Sequence, residues 1–140
     1  MRFWDSSAVV PLCLTEPKTP VVRPLVGADP SIIVWWGTRT ECVSAVMRAR
    51  RDGTLGSTPL ADVRMILERL ASTWSEVQPG EPLRVRAERL LAVHPLRAAD
   101  AFQLAAALLW SRGDTAGRSF VSFDQRLREA ARREGFTVLP

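Results

Sequence analysis

Arg2-Phe3-Trp4-Asp5-Ser6-Ser7-Ala8-Val9-Val10 is a short apolar run that ends on a carboxylate and passes at once into a helical pattern. The stretch reads as a strand followed directly by a helix, with Asp5 pointing off the end of a sheet. In a parallel α/β sheet, ligands gather at the carboxyl ends of the strands, which would put Asp5 where such folds do their chemistry. A plainer reading makes Asp5 a polar strand end and Ser6 or Ser7 the helix cap. What separates the two is whether acids occur at equivalent turns elsewhere.

Working outward, Ser6 to Leu14 reads as a helix, Pro17 and Pro20 punctuate, and Val21 to Val26 forms a second short helix closed by Gly27, Asp29 and Pro30. Ser31-Ile32-Ile33-Val34-Trp35-Trp36 is a continuous apolar run of β-branched and aromatic residues, the pattern of a strand buried on both faces. Gly37-Thr38 turns into a helix with Cys42, Val43, Val46 and Met47 at helical spacing. Pro59 opens another helix, running to about Thr73 with Val63, Ile66, Leu67 and Leu70 on one face. Trp74 to Val77 reads as a short strand or an extended link, and Pro82 to Val93 as a helix ended by His94-Pro95. Leu96 to Trp110 is a nearly all-apolar helix, hence central. Ser119 to Ser122 is a strand, Asp124 to Glu134 a helix and Phe136 to Leu139 a last strand. This alternation predicts a single three-layer α/β/α domain over residues 1–140 with a central, mainly parallel sheet.

A chain of 140 residues, 46% hydrophobic and 24% charged, suits one folded domain rather than a disordered segment. The longest apolar runs fall far short of the roughly 20 residues that span a bilayer, and no secretory signal pattern opens the chain. The expected location is the cytoplasm, away from any membrane. Cys13 and Cys42 are the only cysteines, each within an apolar helical pattern, and read as buried thiols. His94 is the only histidine, which leaves a zinc site or a Ser-His-Asp arrangement little to build on; it reads as structural or exposed. The net charge is +4, and Lys18 is the only lysine among 19 basic residues. Such a surface favours a polyanionic partner, although a compositional trade of lysine for arginine accounts for it equally.

Asp5 has counterparts. Glu41 lies in the first turn of the helix after the Ile32 strand, Asp124 opens the helix after the Phe120 strand, and Asp100 lies early in the apolar helix in line with Leu104 and Leu108. Each has a local explanation. Thr38-Arg39-Thr40-Glu41 fits a capping box, Asp100 and Asp124 sit near helix N-termini where the macrodipole favours an acid, and Arg97 lies one turn before Asp100. At least three of the four follow the carboxyl end of a strand, which in a parallel sheet puts them on one edge, and hard divalent cations would relieve the repulsion of four carboxylates meeting there. Metal ions so held activate water against a phosphorus centre, and rim arginines, with Arg39, Arg48, Arg50 and Arg51 as candidates, would hold the flanking phosphates. Among the tryptophans, Trp4 and Trp35 read as core, and Trp36, beside Gly37, is the candidate for contact with a substrate or partner.

Arg2 to Val10, with its Asp5-Ser6-Ser7-Ala8 turn, resembles the opening strand and turn of PIN-domain ribonucleases. Thr40-Glu41-Cys42 resembles their second acidic position, and Leu96 to Ala105, around Asp100-Ala101, their Asp-Ala segment. Phe120-Val121-Ser122-Phe123-Asp124, followed by Leu127, Ala130, Ala131, Gly135 and Val138-Leu139, is similar to their closing strand, helix and strand. The resemblance covers nearly the whole chain in order, and the length suits the VapC-type toxins of toxin-antitoxin pairs. It implies magnesium- or manganese-dependent cleavage of RNA with Asp5, Glu41, Asp100 and Asp124 as the acidic quartet. Ser122 matches a hydroxyl position of that family and Ser6 lines the same pocket, helix capping being the alternative for both. The resemblance further implies a homodimer and a silencing antitoxin. Gln103 stands where many relatives carry His, which questions any histidine-dependent substrate contact. Two other functions compete: a catalytically silent PIN-like module that binds RNA or protein, and a phosphoacceptor domain. The latter usually needs a lysine near its acids, and Lys18 lies in a proline-flanked link.

Overall fold

The computed structural model describes residues 1–140. Five short strands form one sheet: β1 (Arg2–Trp4), β2 (Ile32–Trp35), β3 (Ser75–Val77), β4 (Ser119–Val121) and β5 (Thr137–Leu139). Their order is β3-β2-β1-β4-β5, and every neighbouring pair is parallel. The expected three-layer α/β/α architecture is present, with a wholly parallel sheet. The segment around Trp74 that read as strand or link is a strand, with Ser75 in register with Ile33.

Period-two alternation explains why the strands read as unbroken apolar runs. Phe3, Ile33, Trp35 and Phe120 face one layer of helices, α5 (Glu81–Val93), α6 (Ala98–Trp110) and α7 (Gln125–Arg133). Trp4, Ile32, Val34 and Val121 face the other, formed by α1 (Ser6–Cys13), α2 (Thr19–Ala28), α3 (Thr38–Arg51) and α4 (Leu60–Ala71). A strand covered on both sides can spare no polar position, so β2 is buried throughout. Phe3 stacks on Phe120 at 5.3 Å between ring centroids, coupling the two central strands.

The helices joining β1 to β2 and β2 to β3 lie on one face, whereas α7, joining β4 to β5, lies on the other. Chain direction across the sheet therefore reverses between β1 and β4, and a crevice opens outside the carboxyl ends of these two strands. The Asp5 amide, donating to the Val121 carbonyl at 3.0 Å, closes the floor of that crevice. Helix α6 begins at this same edge: Phe102 stacks on Trp35, the last residue of β2, at 5.7 Å. It ends at the opposite edge, where Trp110 meets Phe3 and the Arg118 guanidinium, just before β4.

Several helix boundaries differ from the sequence reading, α4 for instance ending at Ala71 rather than about Thr73. Helix α2 extends beyond Val21–Val26 in both directions, because Pro20 falls in its first turn, where a missing N–H costs nothing. Helix α6 starts at Ala98 rather than Leu96, whose amide donates instead to the His94 carbonyl at 2.8 Å, just past the Pro95 breaker. No helix is long and apolar enough to cross a membrane.

Candidate active site

Asp5 leaves β1 and caps α1, its Oδ2 accepting the Ser7 amide at 3.3 Å. The cap is therefore Asp5 itself and not Ser6 or Ser7. The same oxygen accepts the Ser7 hydroxyl and the Ser122 hydroxyl, the latter at 2.9 Å. Only 4% of the residue is exposed. Burial pushes its carboxyl up most strongly, the Ser7 and Ser122 hydroxyls pull it down, and the Glu41 charge raises it again, leaving it at about 6.

Glu41 does not make the capping box expected from Thr38-Arg39-Thr40-Glu41. Helix α3 is preceded by Gly37 and has no side-chain cap. The Glu41 carboxylate instead leaves its own helix: Oε2 accepts the Ser6 hydroxyl at 2.6 Å and the Gln103 amide nitrogen at 3.0 Å. Gln103 Nε2 also lies 3.3 Å from the Thr38 hydroxyl, so one buried amide from α6 fixes the start of α3 and its acid together.

Asp100 and Asp124 both keep their local roles. Asp100 accepts the Arg97 amide at 3.2 Å, and Asp124 accepts the Leu127 amide at 2.8 Å as the cap of α7. They also line one cavity with Arg97, Gln125 and Arg126. Burial raises the half-buried Asp100 carboxyl, against the pull of the Arg97 amide; the Asp124 charge raises it further. The Arg97 guanidinium forms no ion pair with Asp100.

Ser122 joins the two halves. Its hydroxyl donates to Asp5 and accepts the Asp124 amide at 3.1 Å, while Ser7 Oγ accepts the Phe123 amide at 2.9 Å. The four predicted acids thus form two pairs, Glu41 with Asp5 through Ser6 and Asp124 with Asp100 across a shared cavity, linked through Ser122. As the side chains stand, no three of the histidine, cysteine, aspartate and glutamate residues are grouped to hold an ion. The polar groups that meet there are nevertheless ones that suit a hard dication, carboxylate and hydroxyl oxygens with one amide, while the neighbouring Cys42 thiol is buried in the apolar core. The Gln103 amide that meets Glu41 through Nε2 leaves its buried Oε1 without a hydrogen-bond partner.

The cations are placed differently from the sequence reading. A groove beside the Asp5–Glu41 pair is lined by Ser6, Ser7, Glu16, Lys18, Glu41 and Arg48, among others. Lys18, in its proline-flanked link, sits here because the α1–α2 link folds over Phe123, whose ring lies 4.7 Å from Nζ. Of the four candidate rim arginines, Arg48 lines this groove; Arg39, Arg50 and Arg51 are exposed on α3 and do not. Arg126 and Ser7 were missed: nothing local distinguishes Arg126 from the other arginines of α7, whereas the adjacent pair Ser6-Ser7 was signal enough for Ser7.

Cys13 and Cys42 are buried free thiols, as expected. His94 is structural: it is 5% exposed, and its Nε2 lies 2.7 Å from Glu134. No protein-family model matches the chain, and no curated protein matches it.

Proposed function

We propose that the protein is a divalent-metal-dependent endoribonuclease of the PIN type, in which Asp5, Glu41, Asp100 and Asp124 hold magnesium or manganese. The observation that carries this reading is the route of the Glu41 carboxylate. It forgoes the cap of its own helix and turns into the crevice beside a buried Asp5, a like-charge approach that costs stability unless a cation shares it. When bound, the metal would lower the pKa of a coordinated water and stabilise the leaving oxygen of a phosphodiester. The chain's own groups do the rest. Ser7 and Ser122 fix the Asp5 carboxylate, and Ser6 and Gln103 fix that of Glu41. Lys18 and Arg48 on one side, with Arg97 and Arg126 on the other, offer positive charge to flanking phosphates. An antitoxin partner, a homodimer and a VapC-type toxin role belong to the same proposal and rest on the family resemblance. A neighbouring reading frame encoding a small protein with an N-terminal DNA-binding segment would support the antitoxin.

Purified protein incubated with structured RNA and magnesium should cut it, and Asp5→Asn or Asp100→Asn should abolish cutting. Cleavage that survives both substitutions would remove these residues from the mechanism.

A second reading, a catalytically silent PIN-like module, is favoured by the capping roles of Asp5, Asp100 and Asp124 and by the absence of any three grouped acids. Manganese titration by calorimetry discriminates: tight RNA association with no heat from the metal supports the silent module. The phosphoacceptor reading gains Lys18 in the groove but finds Asp5 buried with its Oδ2 enclosed by two hydroxyls. Failure to label with a small phosphodonor would eliminate it.

A further inference from the structure

Trp36 is the one tryptophan that the core does not take, with 51% of its surface exposed at the carboxyl end of β2. Its neighbours hold it firmly. The Trp36 amide donates to the Val77 carbonyl at 3.1 Å, which ties the turn to the edge strand. Its ring meets Trp35 edge-on at 6.2 Å, and Trp35 in turn stacks on Phe102 with the planes 13° apart. Trp35 lies so close over Gly37 that a Cβ there would stand 2.5 Å from the indole nitrogen, so the turn carrying Trp36 has no slack. The result is an exposed indole with a prearranged pose, presented at the edge where the acids lie.

The strand order gives its position in the site. From β3 toward β5, the carboxyl edge carries Trp36 at the end of β2, then Glu41 after β2, Asp5 after β1, and Ser122 with Asp124 after β4. Trp36 therefore stands on the β3 side of Asp5, Ser122 and Asp124. Thr38, two residues on, shares the Gln103 amide with Glu41.

Resting on the nucleic-acid reading above, we propose that Trp36 is a stacking platform for an unpaired nucleobase next to the phosphodiester held at the acids, making the site selective for single-stranded RNA. An aromatic face takes any base, while the phosphates follow the cations. A protein partner fits the surroundings less well. Arg39, Thr40, Gln78 and Pro79 around the turn are exposed, and no other large exposed apolar residue adjoins Trp36 in the chain. An isolated indole is far from the roughly 800 Å² per partner of a stable protein interface.

The test is binding of a fluorescent single-stranded oligoribonucleotide, with calcium replacing magnesium as the oxygen-seeking dication, to the native protein, Trp36→Ala and Trp36→Phe. Stacking predicts that Trp36→Ala weakens binding by about 5- to 150-fold, that Trp36→Phe restores most of the loss, and that the same RNA in a duplex binds native protein and Trp36→Ala alike. RNA-induced quenching of tryptophan fluorescence should disappear in Trp36→Phe. Equal single-strand binding by native protein and Trp36→Ala would overturn the stacking role and leave the nuclease reading standing. No RNA binding by the native protein would overturn both. A change of oligomeric state in Trp36→Ala would assign the indole to an interface between copies and overturn the stacking role.

Discussion

Replacing Asp5 by Asn should stabilise the protein at neutral pH while removing its proposed function. The Asp5 carboxyl sits at about 6 against an ordinary 3.8, mainly because it is buried. A raised carboxyl favours folding while it is protonated. That contribution is fully present below 3.8, is lost as pH rises through about 6, and then stays lost. The gap corresponds to about 3 kcal/mol against the folded state at pH 7.5. Asn has the same shape and no charge; its carbonyl oxygen can take the place of Oδ2 and accept the Ser7 amide and the Ser7 and Ser122 hydroxyls, while its amide faces the Ser6 hydroxyl, which can accept it and still donate to Glu41. Imperfect rearrangement takes back part of the gain, so the net expectation is about 1–3 kcal/mol. Urea denaturation of both proteins from pH 3.5 to 8 would measure it. The two curves should coincide near pH 3.5 and separate between 4 and 6, with Asp5→Asn the more stable above. An Asn variant less stable than native at pH 7.5, or a difference that does not change with pH, would refute the reasoning.

Three other outcomes follow from the same contacts. Ser122→Ala removes a donor that lowers the Asp5 carboxyl, so the acid limb of any pH–activity profile should move to higher pH; an unmoved limb would detach Ser122 from Asp5. Manganese should raise the melting temperature of the native protein, by the equivalent of about 2.7 kcal/mol at a hundredfold excess over its dissociation constant. Asp5→Asn and Asp100→Asn should lose most of that rise, and a rise surviving in both would place the ion elsewhere. Gly37→Ala forces a methyl against the Trp35 indole and should cost about 1–3 kcal/mol in urea denaturation, a neutral result showing that Trp35 can move aside.

The architecture was legible because burial leaves a mark on composition. Ile32 to Trp35 carries no polar residue since both its faces are covered, and Asp5 marks the strand end because a carboxylate cannot continue such a run. The site was legible as a set of acids and not as an arrangement. Thr38-Arg39-Thr40-Glu41 is locally the same whether Glu41 caps its helix or leaves it. What decides is Ser6, 35 residues away, and Gln103, 62 residues away, which only the folded chain brings within reach. Lys18 lies in the proline-flanked link that the sequence indicates, but its place at the groove is not legible there, because nothing local signals the Phe123 ring against which it lies. Short strands are the third limit, since Ser75–Val77 becomes a strand by pairing with β2 rather than by its own pattern.

The measurement that bears most directly on the proposed metal site is the anomalous difference map of a crystal soaked in manganese. The proposal predicts a peak in the crevice outside β1 and β4, within about 2.0–2.3 Å of carboxylate oxygens from Asp5 and at least one of Glu41, Asp100 and Asp124. A map with no manganese there, or with manganese bound only to other acids of the surface, would contradict it.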